Sequence, residues 1–322
     1  MIEIAMATYN AEKYLKQQLQ SLFDQTDQDF FLTIRDNCST DGTVQILRDC
    51  AARHPGKVTV IEGKENLGAK GNFAYLASVA RGEYVMFSDA DDVWLPHKIE
   101  VTRAEMRTQE NRWGKGMPLL VFTDKKVVDQ ELNLIDSSFW NYARLKPSSI
   151  AHLNRLLVQN CVSGCTVMAN RALMAKACPI PTEAVMHDWW LALVACAFGR
   201  VSFLPEPTML YRQHGGNVLG AKGFRGLLGF ARQGYQALKD LPEATVKKLI
   251  PRFLQAESFL NRFEQELSSE KKAIVEAFLS LRNQSWRKRN QILYRHQLYP
   301  KSFLHKCYFL LVTSMYQEQR ND

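Results

Sequence analysis

The sequence predicts an open, mostly parallel α/β sheet flanked by helices, followed by a basic, helical C-terminal appendage. Two observations lead there. Short apolar runs of strand character alternate with helical stripes over the first ninety residues, and such alternation builds a parallel sheet covered on both faces. Charge then divides the chain: residues 221–322 hold 18 Lys+Arg against 9 Asp+Glu, net +9, so the first 220 are net −1 and the whole +8 comes from the tail. We therefore expect an α/β domain over 1–220 and a basic, mainly helical region over 221–322. A chain of 322 residues exceeds the usual single core, and 46% hydrophobic content supports a substantial one.

Ile2 to Ala7 reads as a strand, Thr8-Tyr9-Asn10 as a turn, and Tyr14, Leu15, Leu19, Leu22 and Phe23 as the apolar stripe of a helix. Phe30 to Arg35 is a second strand. It leads into the polar turn Asp36-Asn37-Cys38-Ser39-Thr40-Asp41-Gly42-Thr43, whose Ser, Thr and Asp can cap a helix carrying Val44, Leu47 and Ala51. Val58 to Ile61 precedes Asn66-Leu67-Gly68 and a helix through Ala80, and Tyr84 to Phe87 forms a buried strand.

That last strand runs directly into Ser88-Asp89-Ala90-Asp91-Asp92-Val93-Trp94, three carboxylates in four residues. Like charges this close repel, and they are tolerated where a hard divalent cation or a solvated turn absorbs the charge. Mg²⁺ or Mn²⁺ held by one or two carboxylates plus substrate phosphates is the usual arrangement, and the ends of parallel strands are where such ligands bind. The alternative is a helix cap ahead of Pro96 and the helical run His97 to Arg107.

Taken in order, Ala7-Thr8-Tyr9-Asn10, Asp36 to Thr43, Asn66-Leu67-Gly68 and Ser88 to Trp94 resemble family 2 of the nucleotide-sugar glycosyltransferases, which have the Rossmann-like GT-A fold. His187-Asp188-Trp189-Trp190 and Tyr211-Arg212-Gln213-His214-Gly215-Gly216-Asn217 are similar to acceptor-side blocks of its bacterial rhamnosyltransferase-like branch. The resemblance covers roughly residues 1–220, and the ordered set is far more specific than any single block.

The resemblance implies that Ala7 and Tyr9 border the nucleotide base, and that Asn37 reads the pyrimidine ring where the family usually has Asp. An Asn carbonyl accepts a ring N–H, whereas a flipped amide offers a donor. Asp89 is implied as the ribose or diphosphate-side contact and Asp91 as the metal ligand, with Asp92 supporting the loop or capping the next helix. Asn66 and Lys70 are either substrate contacts, with Lys70 pairing to phosphate, or a solvated loop with a helix cap.

Transfer to an acceptor hydroxyl needs a base, and an inverting single displacement needs it opposite the leaving diphosphate. Asp188, at the start of the apolar segment Trp190 to Phe198, is the family's candidate; its local alternative is a helix N-cap. His187 is expected to orient that carboxylate or touch the sugar, or else to pack. At the end of the β-like run Thr208 to Arg212, Arg212 offers a fork of donors for diphosphate, and His214 is a metal ligand, a phosphate contact or a turn residue.

Other prominent residues read as structural. Cys161 and Cys165 have no matching His or Cys pair, which argues against zinc. Seven cysteines give no even disulfide framework, and the short run Ile2 to Ala7, interrupted by Glu3, is no secretory signal, so reduced cytoplasmic thiols are expected. Trp140-Asn141-Tyr142 is read as cover for a core edge rather than as acceptor-cleft lining.

In the tail, Leu249, Phe253, Phe259, Leu260 and Phe263 form an approximate stripe, and no acid occurs between Glu276 and Glu318. There Trp286, Tyr294, Tyr299, Phe303, Tyr308 and Phe309 interleave with Arg287-Lys288-Arg289, Arg295, Lys301 and Lys306. An anionic membrane surface and nucleic acid both suit this pattern. Membrane is preferred over nucleic acid because the branch typically uses a lipid-linked saccharide acceptor. Cys307 to Thr313 is far shorter than the ~20 apolar residues of a span, so attachment would be peripheral, on the inner face of the cytoplasmic membrane.

The expected function is an inverting, Mg²⁺- or Mn²⁺-dependent glycosyltransferase moving rhamnose from dTDP-rhamnose to a hydroxyl of a bacterial surface polysaccharide, O-antigen or capsule. UDP-hexose and UDP-amino-sugar donors stay open. A nucleotidyltransferase would want a glycine-rich, basic phosphate loop, which Met6 to Asn10 lacks. A non-catalytic adaptor binding nucleotide sugar or nucleic acid is disfavoured by the intact Asp91 and Asp188.

Overall fold

The computed structural model describes residues 1–215 and 234–303, together with residues 306, 307, 309, 310 and 313, and no side chains over 234–248. Gly216, Asn217, Tyr308 and Glu318 lie outside the described residues, as does the expected boundary between residues 220 and 221.

The N-terminal half alternates as its periodicity requires: β1 (Ile2–Thr8), α1 (Glu12–Phe23), β2 (Phe30–Asp36), α2 (Thr43–Arg53), β3 (Val58–Glu62), α3 (Gly68–Val79) and β4 (Tyr84–Ser88). After it come β5 (Val93–Trp94), α4 (Lys98–Trp113), β6 (Leu119–Val128), β7 (Leu134–Asp136), α5 (Phe139–Tyr142), α6 (Leu153–Leu156), β8 (Val167–Asn170), α7 (Arg171–Ala177), α8 (His187–Phe198) and β9 (Arg200–Arg212). One nine-stranded sheet holds them in the order β3-β2-β1-β4-β8-β6-β9-β5, with β7 on β6.

The sheet is more mixed than the sequence predicts. β1, β2, β3 and β4 pair in parallel, as do β6 and β9, but β8 lies antiparallel between β4 and β6, and β5 is antiparallel to β9. No crossover helix of βαβ type connects β6 to β8, so the chain returns in the opposite sense.

Both faces of the sheet are covered. Alternation along β1 sends Ile2, Ile4 and Met6 to one core with Leu15, Leu19 and Leu47, and Ala5 to the other with Phe73, Leu76 and Trp190. The buried Glu3 carboxylate is fully occupied, accepting from Thr33 Oγ1 at 2.7 Å and from the backbone N–H groups of Arg81 and Gly82. The helix expected over His97 to Arg107 runs on to Trp113 and stops at Gly114, whose φ of 86° ends it in the left-handed region.

Beyond the sheet lie α9 (Gly234–Phe263), α10 (Ser269–Ser280) and α11 (Trp286–Arg295). They are not a separate body. Leu249, Phe253, Phe259 and Phe263 join the core beneath α8, with the Phe259 ring 5.8 Å from Trp190. Trp140 covers a core edge against Phe122 and Phe203, as expected. All seven cysteines are free, and Cys307 is the exposed one.

One expectation about the tail is corrected. Arg289 does not face outward with Arg287 and Lys288; it is buried, and its guanidinium ties the carbonyls of Leu281, Arg282 and Thr313 together. Carbonyls left open at helix ends and turns need donors, and a forked cation supplies several.

Candidate active site

The chain steps from β1 outward to β2 and β3 and then crosses back to β4 on the other side of β1, and at that reversal a crevice opens at the carboxyl ends of these strands. Thr8 to Asn10, Asp36 to Cys38 and Asp89 to Asp92 meet there. The end of β9 arrives because β5 pairs with it, Val93 against Leu210 and Trp94 against Met209. Arg212 N–H donates to Asp92 Oδ1 at 3.0 Å and Arg212 Nε to the Asp91 carbonyl at 2.8 Å, which locks the two blocks together.

On the β2 side the polar atoms are matched. Asp36 accepts from Thr8 Oγ1 (3.0 Å), Ser39 Oγ (2.6 Å) and Ser39 N–H (2.8 Å). Asn37 Oδ1 accepts from Arg35 Nη1 and Leu67 N–H, both at 2.9 Å, and Nδ2 donates to Asn66 Oδ1 at 2.6 Å. Both Oδ1 partners can only donate, so chemistry fixes the amide orientation. Asn37 is 2% exposed. The carbonyl expected to accept a pyrimidine N–H is therefore engaged inside the protein, and only an amide hydrogen is left to offer.

Arg35, a residue the sequence did not mark, anchors this network. It is buried, donates also to Asn72 Oδ1 (2.8 Å) and the Glu65 carbonyl (3.3 Å), sits 5.0 Å from the Tyr75 ring, and has no carboxylate partner among the described residues. Asn66 accepts from Gly68 N–H besides Asn37, and Lys70 donates to the Thr182 carbonyl at 2.7 Å. Ala7 is half-buried at the crevice, and Tyr9 is 52% exposed.

The β4 side stores charge. Burial, then the Asp91 carboxylate, push Asp89 up to about 7, with Lys125 opposing and Asp188 adding to the rise. Burial and the Asp91 and Asp89 carboxylates raise Asp92 well above the usual carboxylate range. Asp92 does not cap α4, whose N-cap is His97; one oxygen holds Arg212 N–H, and Oδ2 is buried with no hydrogen-bond partner among the described residues. Asp91 Oδ2 lies 2.9 Å from His214 Nε2, so the two expected metal ligands are adjacent.

These donors suit a hard divalent cation. An orphaned buried carboxylate oxygen beside two further carboxylates and an imidazole is what Mg²⁺ or Mn²⁺ would satisfy. Cys165 Sγ also lies within 4.8 Å of ligand atoms of Asp89 and Asp92, but burial raises its thiol far above the ordinary value and leaves it a protonated, soft neighbour. Lys125, missed from the sequence, is the local counter-charge: buried in β6, with Nζ 3.4 Å from the Tyr211 ring centroid and 4.4 Å from that of Phe139, it favours the ionised forms of Asp89, Asp92 and Asp188. Asp124-Lys125-Lys126 inside an otherwise apolar strand was the available signal.

Asp188 stands in the first turn of α8 and is not its N-cap, which is Met186. Oδ2 accepts Gly164 N–H at 2.9 Å and Oδ1 accepts Asn160 Nδ2 at 3.3 Å, while burial pushes the carboxyl up to about 6. Neither Asn160 nor Gly164 was foreseen, because each approaches from a distant loop.

Two expected substrate contacts are corrected. His187 is buried between Phe73 (4.2 Å, stacked) and Phe87 (4.7 Å), both ring nitrogens lack partners among the described residues, and burial pulls its pKa down to about 3. It is a neutral packing ring. A Cβ on Gly164 would stand 2.3 Å from its Nε2, so only glycine fits there. Arg212 is buried with donors on Asp91, Gln130 and Gln17 and its guanidinium 4.5 Å from the Tyr14 ring centroid, which makes it a strut of the crevice rather than an open fork for diphosphate.

Residues 3–169 match the family described as glycosyl transferase family 2. A dTDP-rhamnosyl transferase of Shigella flexneri is 26% identical over 230 residues, 67% of this chain and 74% of that protein. Among solved structures, S. aureus TarS 1–349 in complex with UDP-GlcNAc aligns with a TM-score of 0.53 at 18% identity, over 100% of this chain and 93% of that one. A mannosyltransferase of Pyrobaculum calidifontis with GDP-Man and Mn²⁺ aligns with a TM-score of 0.52 at 18% identity, over 98% and 83%. At such identity the likeness establishes the shared GT-A architecture.

Proposed function

The chain belongs to glycosyl transferase family 2, and on that premise we propose that it is an inverting, divalent-cation-dependent transferase moving rhamnose from dTDP-rhamnose to a hydroxyl of a bacterial surface polysaccharide, O-antigen or capsule. The observation that carries the reading is Asp188: a carboxylate fixed by two donors, raised to about 6, and close enough to the acidic end of β4 to push Asp89 up. A base poised near the working pH is what removal of a hydroxyl proton requires. Rhamnose rests on the likeness to the dTDP-rhamnosyl transferase.

In this reading Asp188 takes the acceptor hydroxyl proton while that oxygen attacks the anomeric carbon. The new C–O bond forms as the sugar–phosphate bond breaks, and the nucleoside diphosphate leaves with the bonding pair. Asp91 and His214 would hold the cation, with Asp89 on the ribose or diphosphate side. Such an ion supplies charge neutralisation for the leaving diphosphate. Ala7 and Tyr9 border the base, Asn37 contributes its remaining amide hydrogen, and Asn66 is a substrate contact beside it.

The tail supports a peripheral, cytoplasmic-face location. Trp286, Tyr294 and Phe303 are 57%, 55% and 75% exposed, beside exposed Arg287, Lys288 and Arg295. Aromatics with cations suit the interface of an anionic membrane carrying a lipid-linked saccharide. No helix among the described residues is long and apolar enough to cross a membrane.

The decisive experiment is a thermal-shift screen of nucleotide sugars with and without Mn²⁺, because a ligand that binds only the native state raises its stability. dTDP-rhamnose with Mn²⁺ should give the largest rise, and transfer should invert the anomeric configuration. A larger rise with a UDP-hexose or UDP-amino sugar would replace rhamnose, and no rise with any nucleotide sugar would overturn the reading.

A further inference from the structure

We propose that a cavity of about 500 Å³ between residues 149–155, the end of α8 and the C-terminal helices is a binding site for a phosphate group. It shares no lining residue with the acidic crevice. Its volume is that of small-ligand sites, which run from about 300 to 1,000 Å³.

Arg155, Lys271 and Lys301 reach it from three separate segments, and Glu270 is the one acid in the lining. None of the three cations is ion-paired among the described residues. Each is held by neutral oxygens instead. Arg155 donates to the Tyr299 carbonyl (2.5 Å) and Gln297 Oε1 (2.8 Å), Lys271 to the Ala197 carbonyl, and Lys301 to Ser148 Oγ at 3.0 Å. These contacts fix the charged heads while leaving N–H groups to spare. Three pre-positioned cations converging on one space fit an anion with several acceptor oxygens and more than one negative charge, which describes phosphate better than a carboxylate. Leu153 and Ile274 add apolar surface to the lining.

Position gives the phosphate two possible sources. The exposed Lys301 is two residues from Phe303, the most exposed large apolar side chain among the described residues, and Tyr299 packs under Arg155 with 4.3 Å between ring centroid and guanidinium. An amphiphile's headgroup phosphate would enter from that side; free inorganic phosphate is the other source.

The test uses the full chain, with dTDP present to occupy the donor site, and inorganic phosphate as calorimetric probe. Wild type should bind it, Lys271→Gln/Lys301→Gln should weaken it roughly 25-fold, about fivefold per lysine, and the charge-matched Arg287→Gln/Lys288→Gln should not. Ala151→Trp, which fills the cavity from an exposed lining position and leaves all three cations in the sequence, should also block it and covers the case in which the double variant misfolds. Phosphatidylglycerol and phosphatidylcholine vesicles then separate the sources. If a lipid headgroup is the ligand, inorganic phosphate will release wild type from phosphatidylglycerol more than chloride of equal ionic strength does, and the cavity variants will lose that difference. Phosphate heat without any such release identifies free phosphate. No phosphate heat in wild type, or heat unchanged in both cavity variants, overturns the proposal, and neither result bears on glycosyl transfer.

Discussion

The ends of β2 and β4, separated only by β1, treat their polar groups in opposite ways. At β2 the Asp36 carboxylate is matched by Thr8 and Ser39, while the Asn37 amide and the Arg35 guanidinium are matched in a second set of bonds with Asn66 and Leu67. At β4 an Asp92 oxygen has no hydrogen-bond partner among the described residues, and burial with like charge raises Asp89 and Asp92. Matched bonds of this kind are rigid and leave only one Asn37 amide hydrogen to offer; a buried carboxylate cluster is costly until a cation or proton joins it. One end is thus a finished platform and the other an unfinished charge balance, which is where a ligand has most to contribute.

The sharpest way to test the contrast is at Asp188. Asp188→Asn should keep donor affinity and lower turnover by about 10²- to 10⁴-fold, the usual contribution of a positioned base. In wild type, kcat/KM should fall about tenfold per pH unit below about 6, because the base must be unprotonated. Near-normal turnover in the Asn variant would remove Asp188 from the chemistry. Next in size, Asp91→Ala should lower Mn²⁺-dependent donor affinity by at least the ~10- to 100-fold that even an outer-sphere partner is worth, with the fold intact. Calorimetry showing equal affinity would place the cation elsewhere.

The platform predicts effects on stability rather than on chemistry. Asn37→Ala orphans donors on Arg35 and Leu67 and should cost about 1–3 kcal/mol in urea unfolding, whereas Asn37→Asp gives the buried Arg35 a carboxylate and should cost less. Equal stability of Asn37→Ala and wild type would show that these bonds are not made in solution. The smallest effect concerns pH. Asp188 has a folded pKa raised from its ordinary 3.8 to about 6, so the folded chain binds this proton more tightly than the unfolded chain. Its contribution is present below about 4 and is lost as pH rises through about 6, and Asp188→Asn should remove at most one proton's worth of that slope. A steeper slope in the variant than in wild type would reverse the assigned direction.

Much of the frame was legible because it is local. Strand and helix periods gave β1 to β4 and their helices within a few residues, and the acids after Phe87 marked the crevice. What escaped depends on contacts between distant segments. The bond from Arg212 N–H to Asp92 spans 120 residues, and the two-residue β5 that creates it has no periodicity to detect. Residue type also misled where burial decides: Arg212 and His187 carry the side chains a substrate site needs, yet tertiary packing turned the first into a strut and the second into a wedge between phenylalanines. Lys125 was the reverse case, a cation hidden in a strand and left out of the motif-based reading.

The free thiols have a practical consequence. Burial raises the Cys50, Cys161, Cys165, Cys178 and Cys196 thiols, and Cys38 is half-covered and donates to the Gly63 carbonyl, whereas Cys307 is exposed in the tail. A thiol reagent should therefore mark Cys307 first. An environment-sensitive dye placed there would sit near the exposed aromatic surface, so the wild-type chain carries its own attachment point for an optical reporter of whatever that surface meets.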